Sequence, residues 1–136
     1  MPAQLPAAGD TFELKVTPPE GITAEYAEVS GDHNPIHLDD EFAKSVGLPG
    51  IIIHGLYTMA QVARAQQQVA GDDPLALKKL SVTFRGMAVP GEEITITGEV
   101  DESDDGVIRT TTGAMQGSTR LVRGATAELV VDTSQE

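Results

Sequence analysis

The sequence predicts an α+β domain in which a curved antiparallel sheet wraps one long helix. An unbroken helical stretch, "GLYTMAQVARAQQQVA", runs from Gly55 to about Ala70 with no proline and no internal glycine. Four β-like segments follow it, "LKKLSVTFRG", "EEITITGEV", "GVIRTTTGAM" and "TRLVRGATAELVV", divided by the turn signals "VPGE", "DESDDG" and "MQGS". A length of 136 residues is enough for one core and short for two. One domain over 1–136 is expected, with the extreme N-terminus and 133–136 loosely ordered.

Ahead of the long helix, "TFELKVTP" alternates Phe12, Leu14 and Val16 with polar neighbours and reads as a strand ended by Pro18 and Pro19. "TAEYAEVSG" reads as a short helix, with Thr23 as candidate N-cap and Gly31 as its stop. "DDEFAKSVG" gives a second, opened by the carboxylates of Asp39 and Asp40 and closed at Gly47. The first half of the long helix is apolar almost all round, at Leu56, Tyr57, Met59, Ala60, Val62 and Ala63, so more than one of its faces is expected to be covered. In the strands that follow, Leu80, Val82 and Phe84 share one face, as do Ile94, Ile96 and Val100.

Composition excludes several roles. Aromatic residues make up only 4%, so the core is built from aliphatic side chains. The absence of cysteine removes disulfides, thiolate metal sites and a cysteine nucleophile, and fits a reducing compartment; the cytoplasm is the expected location. No secretion signal is expected from the opening "MPAQLPAAGD", and "GIIIHGLYTMAQVA" is too short to cross a bilayer. A net charge of −12 repels nucleic acid and anionic membranes, so neither is an expected partner. Between Asp73 and Glu92, however, the charged residues are Lys78, Lys79 and Arg85 alone. This island reads equally as a seat for an anionic ligand or as three solvated charges on strands.

Ionisable chemistry is concentrated in "SGDHNPIHLDD", Ser30 to Asp40. His33 and His37 have the spacing that would point two imidazoles at one metal on a helix. Pro35 removes that meaning, because it forces Asn34 out of helical dihedrals and lacks a backbone donor. No metal site is therefore expected, and His33 reads as an exposed loop side chain. Asp32 and His37 are a different matter, since a non-helical loop can fold back and bring them to one cavity, where carboxylate and imidazole can polarise a water. Asp32 beside Gly31 and Asn34 is also the usual residue of an Asx-turn, and both readings stay open on these residues alone.

A second cluster is "IIIHGLY", where an apolar run enters the long helix at Gly55. Helix N-termini offer unpaired N–H groups and a positive dipole end, and glycine allows close approach to the backbone, which suits a developing oxyanion. The plainer alternative is a tight helix entry with His54 as a hydrogen-bonded core histidine.

Together the clusters are specific. "YAEVSGDHNPIHLDDEFAKSVGLPGIIIHG", Tyr26 to Gly55, closely resembles the MaoC-like, (R)-specific enoyl-thioester hydratase and dehydratase family, matching at Ser30, Gly31, Asp32, Asn34, Pro35, His37, Asp39, Ala43, Gly47, His54 and Gly55. The later "VTFRGMAVPGEEITITGEV" is similar to that family's strand pair.

The resemblance implies a single hotdog domain, a homodimer or a heterodimer with a related hotdog subunit, and no metal or redox cofactor, coenzyme A or phosphopantetheine being part of the substrate. It implies that Asp32 and His37 are the catalytic pair activating a water, that Asn34 and Ser30 support their loop, and that the Gly55 N–H meets the thioester oxygen. Lys78, Lys79 and Arg85 then become expected contacts for the phosphates of coenzyme A or for an acidic carrier protein. Some family members carry a serine on the central helix where Ala63 falls here. Hotdog thioesterases and bacterial fatty-acid dehydratases generally place an acid on that helix, and this one holds no Asp or Glu. The remaining alternative is an acyl-CoA-binding or structural subunit of a heteromeric dehydratase, with little activity alone.

Overall fold

The computed structural model describes residues 5–73 and 75–131. The expectation of loose order at the extreme N-terminus and over 133–136 lies outside that range, apart from Leu5 onward. The elements are β1 (Thr11–Val16), α1 (Ile22–Ser30), α2 (Asp40–Ser45), α3 (Gly55–Gln66), β2 (Leu77–Ser81), β3 (Ile94–Asp104), β4 (Val107–Gln116) and β5 (Thr119–Val130). The strands form one five-stranded antiparallel sheet in the order β1-β3-β4-β5-β2. This is the predicted α+β architecture. Among the described residues no helix is long and apolar enough to cross a membrane.

Val62 and Ala65 of α3 pack with Phe12, Ile94, Ile96, Ala114, Leu121 and Val122 from the sheet. A smaller cluster of Ala76, Val100, Ile108, Ala127 and Leu129 closes the far end. Gln66 is fully buried between helix and sheet. It accepts the Thr110 hydroxyl at 2.6 Å and donates to Thr112 Oγ1 at 2.9 Å and to the Val62 carbonyl at 3.0 Å, so its amide is not left unpaired in the core.

Four expectations change. Helix α1 starts at Ile22 after Gly21, whose φ of 87° turns the chain; Thr23 lies inside the helix, buried, and caps nothing. Helix α3 ends at Gln66, and the chain tightens into a 3-10 turn over Gln67–Val69 before Ala70. The sheet covers only one face of α3, so Leu56 stays 61% exposed and Ala60 is exposed as well, against the expectation of cover on several sides. Finally, β2 stops at Ser81. Its partner β5 carries Gly124 at φ 65°, where the ladder with β4 also shifts register, and pairing resumes only at the isolated bridge between Phe84 and Val122. Phe84 therefore leaves the core face shared by Leu80 and Val82 and lies 44% exposed, its ring against Gly55.

Candidate active site

The loop after α1 is shaped by its own side chains. Gly31, at φ 78°, ends the helix as predicted, and Ser30 Oγ accepts the Asp32 N–H at 3.1 Å. Asp32 Oδ1 accepts the Asn34 N–H at 3.2 Å. Asn34 Oδ1 in turn accepts the Ile36 N–H at 3.2 Å, capping a 3-10 turn over Pro35–His37. Asp39 caps α2 by accepting the Phe42 N–H at 3.1 Å. Asp40 does more than open that helix. Its Oδ1 accepts the Ile51 N–H at 3.1 Å, and its Oδ2 pairs with Lys44 Nζ at 3.0 Å, tying α2 to the strand-like run before α3. The hydrogen bond from Lys44 and that from Ile51 hold the Asp40 carboxyl below its ordinary range.

That run, Ile52 to His54, locks the loop onto the start of α3. The Ile52 N–H donates to the Ile36 carbonyl at 3.1 Å, and the Ile53 N–H to the Ala88 carbonyl at 2.8 Å. His37 is buried and its Nδ1 lies 2.8 Å from the Ile52 carbonyl. A carbonyl only accepts, so Nδ1 carries a proton, and the neutral form of the ring presents a lone pair at Nε2. That Nε2 faces Asp32 Oδ2 across 3.9 Å, a gap too long for a direct hydrogen bond and suited to a bridging water. Asp32 is thus at once an Asx-turn residue through Oδ1 and a partner of His37 through Oδ2, and the two readings of the sequence are compatible.

A cavity of about 270 Å³ opens beside this pair. Tyr26, Ser30 and Asp32 from α1 and its loop, His54, Gly55 and Leu56 from the start of α3, and Phe84 line it. His37 is not on the wall and lies behind Asp32 and His54. Gly55 is the first residue of α3, so its N–H belongs to the set with no intrahelical partner. Burial pushes the pKa of the nearby Tyr57 hydroxyl above its ordinary range, so it stays a neutral donor. A larger groove of about 1020 Å³ runs along Leu5–Glu13 and Gln68, but its ionisable groups are Asp10 and Glu13 without a histidine, a poorer set for acid–base work.

The structure therefore brings Asp32, His37, Gly55 and Ser30 together, with Asn34 shaping the loop. His33 is exposed, as expected. The basic island is dispersed: Lys78 Nζ donates to the Leu75 carbonyl at 2.8 Å, Lys79 lies in a shallow groove with Arg109 and Glu128, and Arg85 follows Phe84. None of the three is on the cavity wall. Asp32, His37 and His54 each offer a ligand atom within 4.8 Å of the others. The rings of His37 and His54 are stacked, however, at 3.8 Å and 19°. Imidazole lone pairs lie in the ring plane, and two nearly parallel planes do not meet within a metal–nitrogen distance of about 2 Å. The trio as arranged does not converge on one ion.

Sequence reasoning left Tyr26, Leu56, Phe84 and His54 out of the site. Tyr26 was findable, since it precedes Ser30 by one helical turn and shares its face of α1.

The family model of the MaoC like domain matches residues 6–120. The chain belongs to the MaoC-like family. Among curated relatives, the fatty acid synthase beta subunit TOXC of Cochliobolus carbonum is 33% identical over 109 residues, covering 79% of this chain and 5% of that protein. The peroxisomal enoyl-CoA hydratase 2 of Arabidopsis thaliana is 43% identical over 67 residues, covering 48% of this chain and 22% of its own length. A solved MaoC-like dehydratase superposes with a TM-score of 0.85 at 29% identity, over 92% of this chain and 40% of that one. This MaoC-like chain thus spans about 5% of the fatty acid synthase subunit and about a fifth of the plant hydratase.

Proposed function

We propose that this domain catalyses reversible hydration of trans-2-enoyl thioesters, carried by coenzyme A or a carrier protein, to (R)-3-hydroxyacyl thioesters. The observation that carries the proposal is the seat of His37: with Nδ1 committed to the Ile52 carbonyl, Nε2 faces Asp32 Oδ2 across 3.9 Å. A water held there donates to both. His37 Nε2 takes its proton while the oxygen adds to the β-carbon, and the electron pair of the double bond moves toward the thioester carbonyl. The Gly55 N–H, at the positive end of α3, meets the charge on that oxygen. Return of the proton to the α-carbon from the same side completes a syn addition. Water and thioester supply every atom, and no electrons are gained or lost.

Lys78, Lys79 and Arg85 are proposed contacts for the anionic end of the carrier, Arg85 having the best claim because it adjoins Phe84. The proposed partner is a second hotdog subunit, the same chain or a related one, which would cover Leu56 and Phe84, exposed at 61% and 44%.

Incubating the protein with crotonyl-CoA and longer enoyl-CoAs and resolving the product by chiral analysis tests this reading. The (R)-3-hydroxyacyl thioester is expected. An (S) product contradicts the assigned face of addition, and no hydration with any coenzyme A or carrier thioester favours the acyl-CoA-binding or structural subunit.

A further inference from the structure

His54 stands at the junction of the two clusters, and the proposed chemistry gives it no part. It is 2% exposed and sits at the N-cap of α3 without capping it. Its Nε2 lies 3.1 Å from the Asp32 carbonyl. Because that oxygen only accepts, His54 carries its proton on Nε2, opposite to His37. Its ring stacks on His37 at 3.8 Å, and the Tyr26 ring lies tilted against it at 4.6 Å. Its Nδ1 is buried with no partner among the described residues. A core histidine placed only to fill space would not leave one nitrogen unpaired while spending the other on a loop carbonyl.

We propose that His54 is a positioning residue for the Asp32–His37 pair. The Nε2–H fixes the Asp32 backbone, and so the direction of its carboxylate; the ring stacked on His37 is the smaller contribution. One side chain thereby touches both members of the pair, and its hydrogen bond steadies the 3.9 Å separation from the Asp32 end. Since Gly55 is the next residue, the same anchor also ties the pair to the proposed oxyanion donor. This inference rests on the reaction proposed above for its catalytic consequence, but the hold on Asp32 is measurable without turnover.

Two substitutions separate the contributions. His54→Gln places a side-chain N–H where the imidazole Nε2–H lies and removes the ring. His54→Phe keeps a stacked ring and removes the donor. With crotonyl-CoA as probe, positioning predicts that His54→Phe loses about 10- to 100-fold in kcat at nearly unchanged KM, and that His54→Gln recovers most of that loss. A space-filling role predicts the reverse order, and that result overturns the proposal, as does parent-like kcat in both variants.

Spectra of the unsubstituted protein and both variants give the second readout. Long-range proton–nitrogen correlations should show His54 protonated on Nε2, and the Asp32 carbonyl carbon resonance should move in His54→Phe but stay near its original position in His54→Gln. A proton on Nδ1, or a carbonyl resonance indifferent to both changes, overturns the proposal whether or not the protein is active. Inactive protein with the expected spectra removes the proposed reaction and supports the hold of His54 on Asp32. Thermal melts of both variants identify a folding failure, and if His54→Phe does not fold, the spectra of the unsubstituted protein and His54→Gln decide.

Discussion

Asp32 Oδ2 and His37 Nε2 face each other across 3.9 Å, each held by a hydrogen bond made through its other polar atom. The carboxylate is held through Oδ1 by the Asn34 N–H, and the imidazole through Nδ1 by the Ile52 carbonyl. The backbone thus holds both members of the pair, and the proposed hold of His54 on the Asp32 carbonyl adds to it.

Asn34 is the first consequence. Its side chain caps the turn that carries His37 by accepting the Ile36 N–H. Asn34→Ala should cost about 1 kcal/mol of stability, the usual loss for a cap, and lower kcat by more than that stability change accounts for. Asn34→Asp, which keeps an acceptor, should recover most of the stability. Urea denaturation read alongside kcat checks both.

The buried amide of Gln66 gives a test confined to folding. Gln66→Leu leaves the Thr110 and Thr112 hydroxyls without their shared partner and should cost about 1–3 kcal/mol. A double-mutant cycle with Thr110→Val should show coupling, because the second substitution removes a group that the first has stranded.

Gly98 lies where the Phe12 ring crosses β3, and a Cβ added there would collide with that ring. Gly98→Ala should destabilise by about 1–3 kcal/mol, and Phe12→Leu in the same chain should relieve part of it. Activity per folded molecule should be unchanged, since neither residue is on the wall of the site.

Asp40 determines an acid-side effect. Its folded pKa is depressed by Lys44 and the Ile51 N–H, so between the folded and unfolded values the unfolded chain binds more protons. The stability it contributes is complete above the unfolded value and is lost as pH falls through the folded one. Asp40→Asn should flatten the stability profile in that acid window and leave its slope near neutrality unchanged, as read by denaturant titration across pH.

What was legible in the sequence was local. Asp39 as a cap, Gly31 as a helix stop and Pro35 as the breaker of the His33 and His37 pairing each act within a few residues, so their chemistry can be read directly. The alternation of Ile94, Ile96 and Val100 likewise named a buried face. The early stop of β2 was not legible, because its cause is Gly124 on another strand. Exposure of Leu56 was not either, since apolar periodicity marks faces that need cover and says nothing about whether one sheet reaches them all. The bond from His54 to Asp32 spans 22 positions, and only the fold brings its ends together.

The proposed hydration depends on Asp32 and His37 acting as one water-activating pair. Following the loss of enoyl absorbance of crotonyl-CoA with the parent, Asp32→Asn and His37→Ala decides whether they do. Turnover by the parent is expected, with a fall in kcat of about 100- to 10,000-fold in each variant and KM little changed. Parent-like turnover in both variants would contradict it.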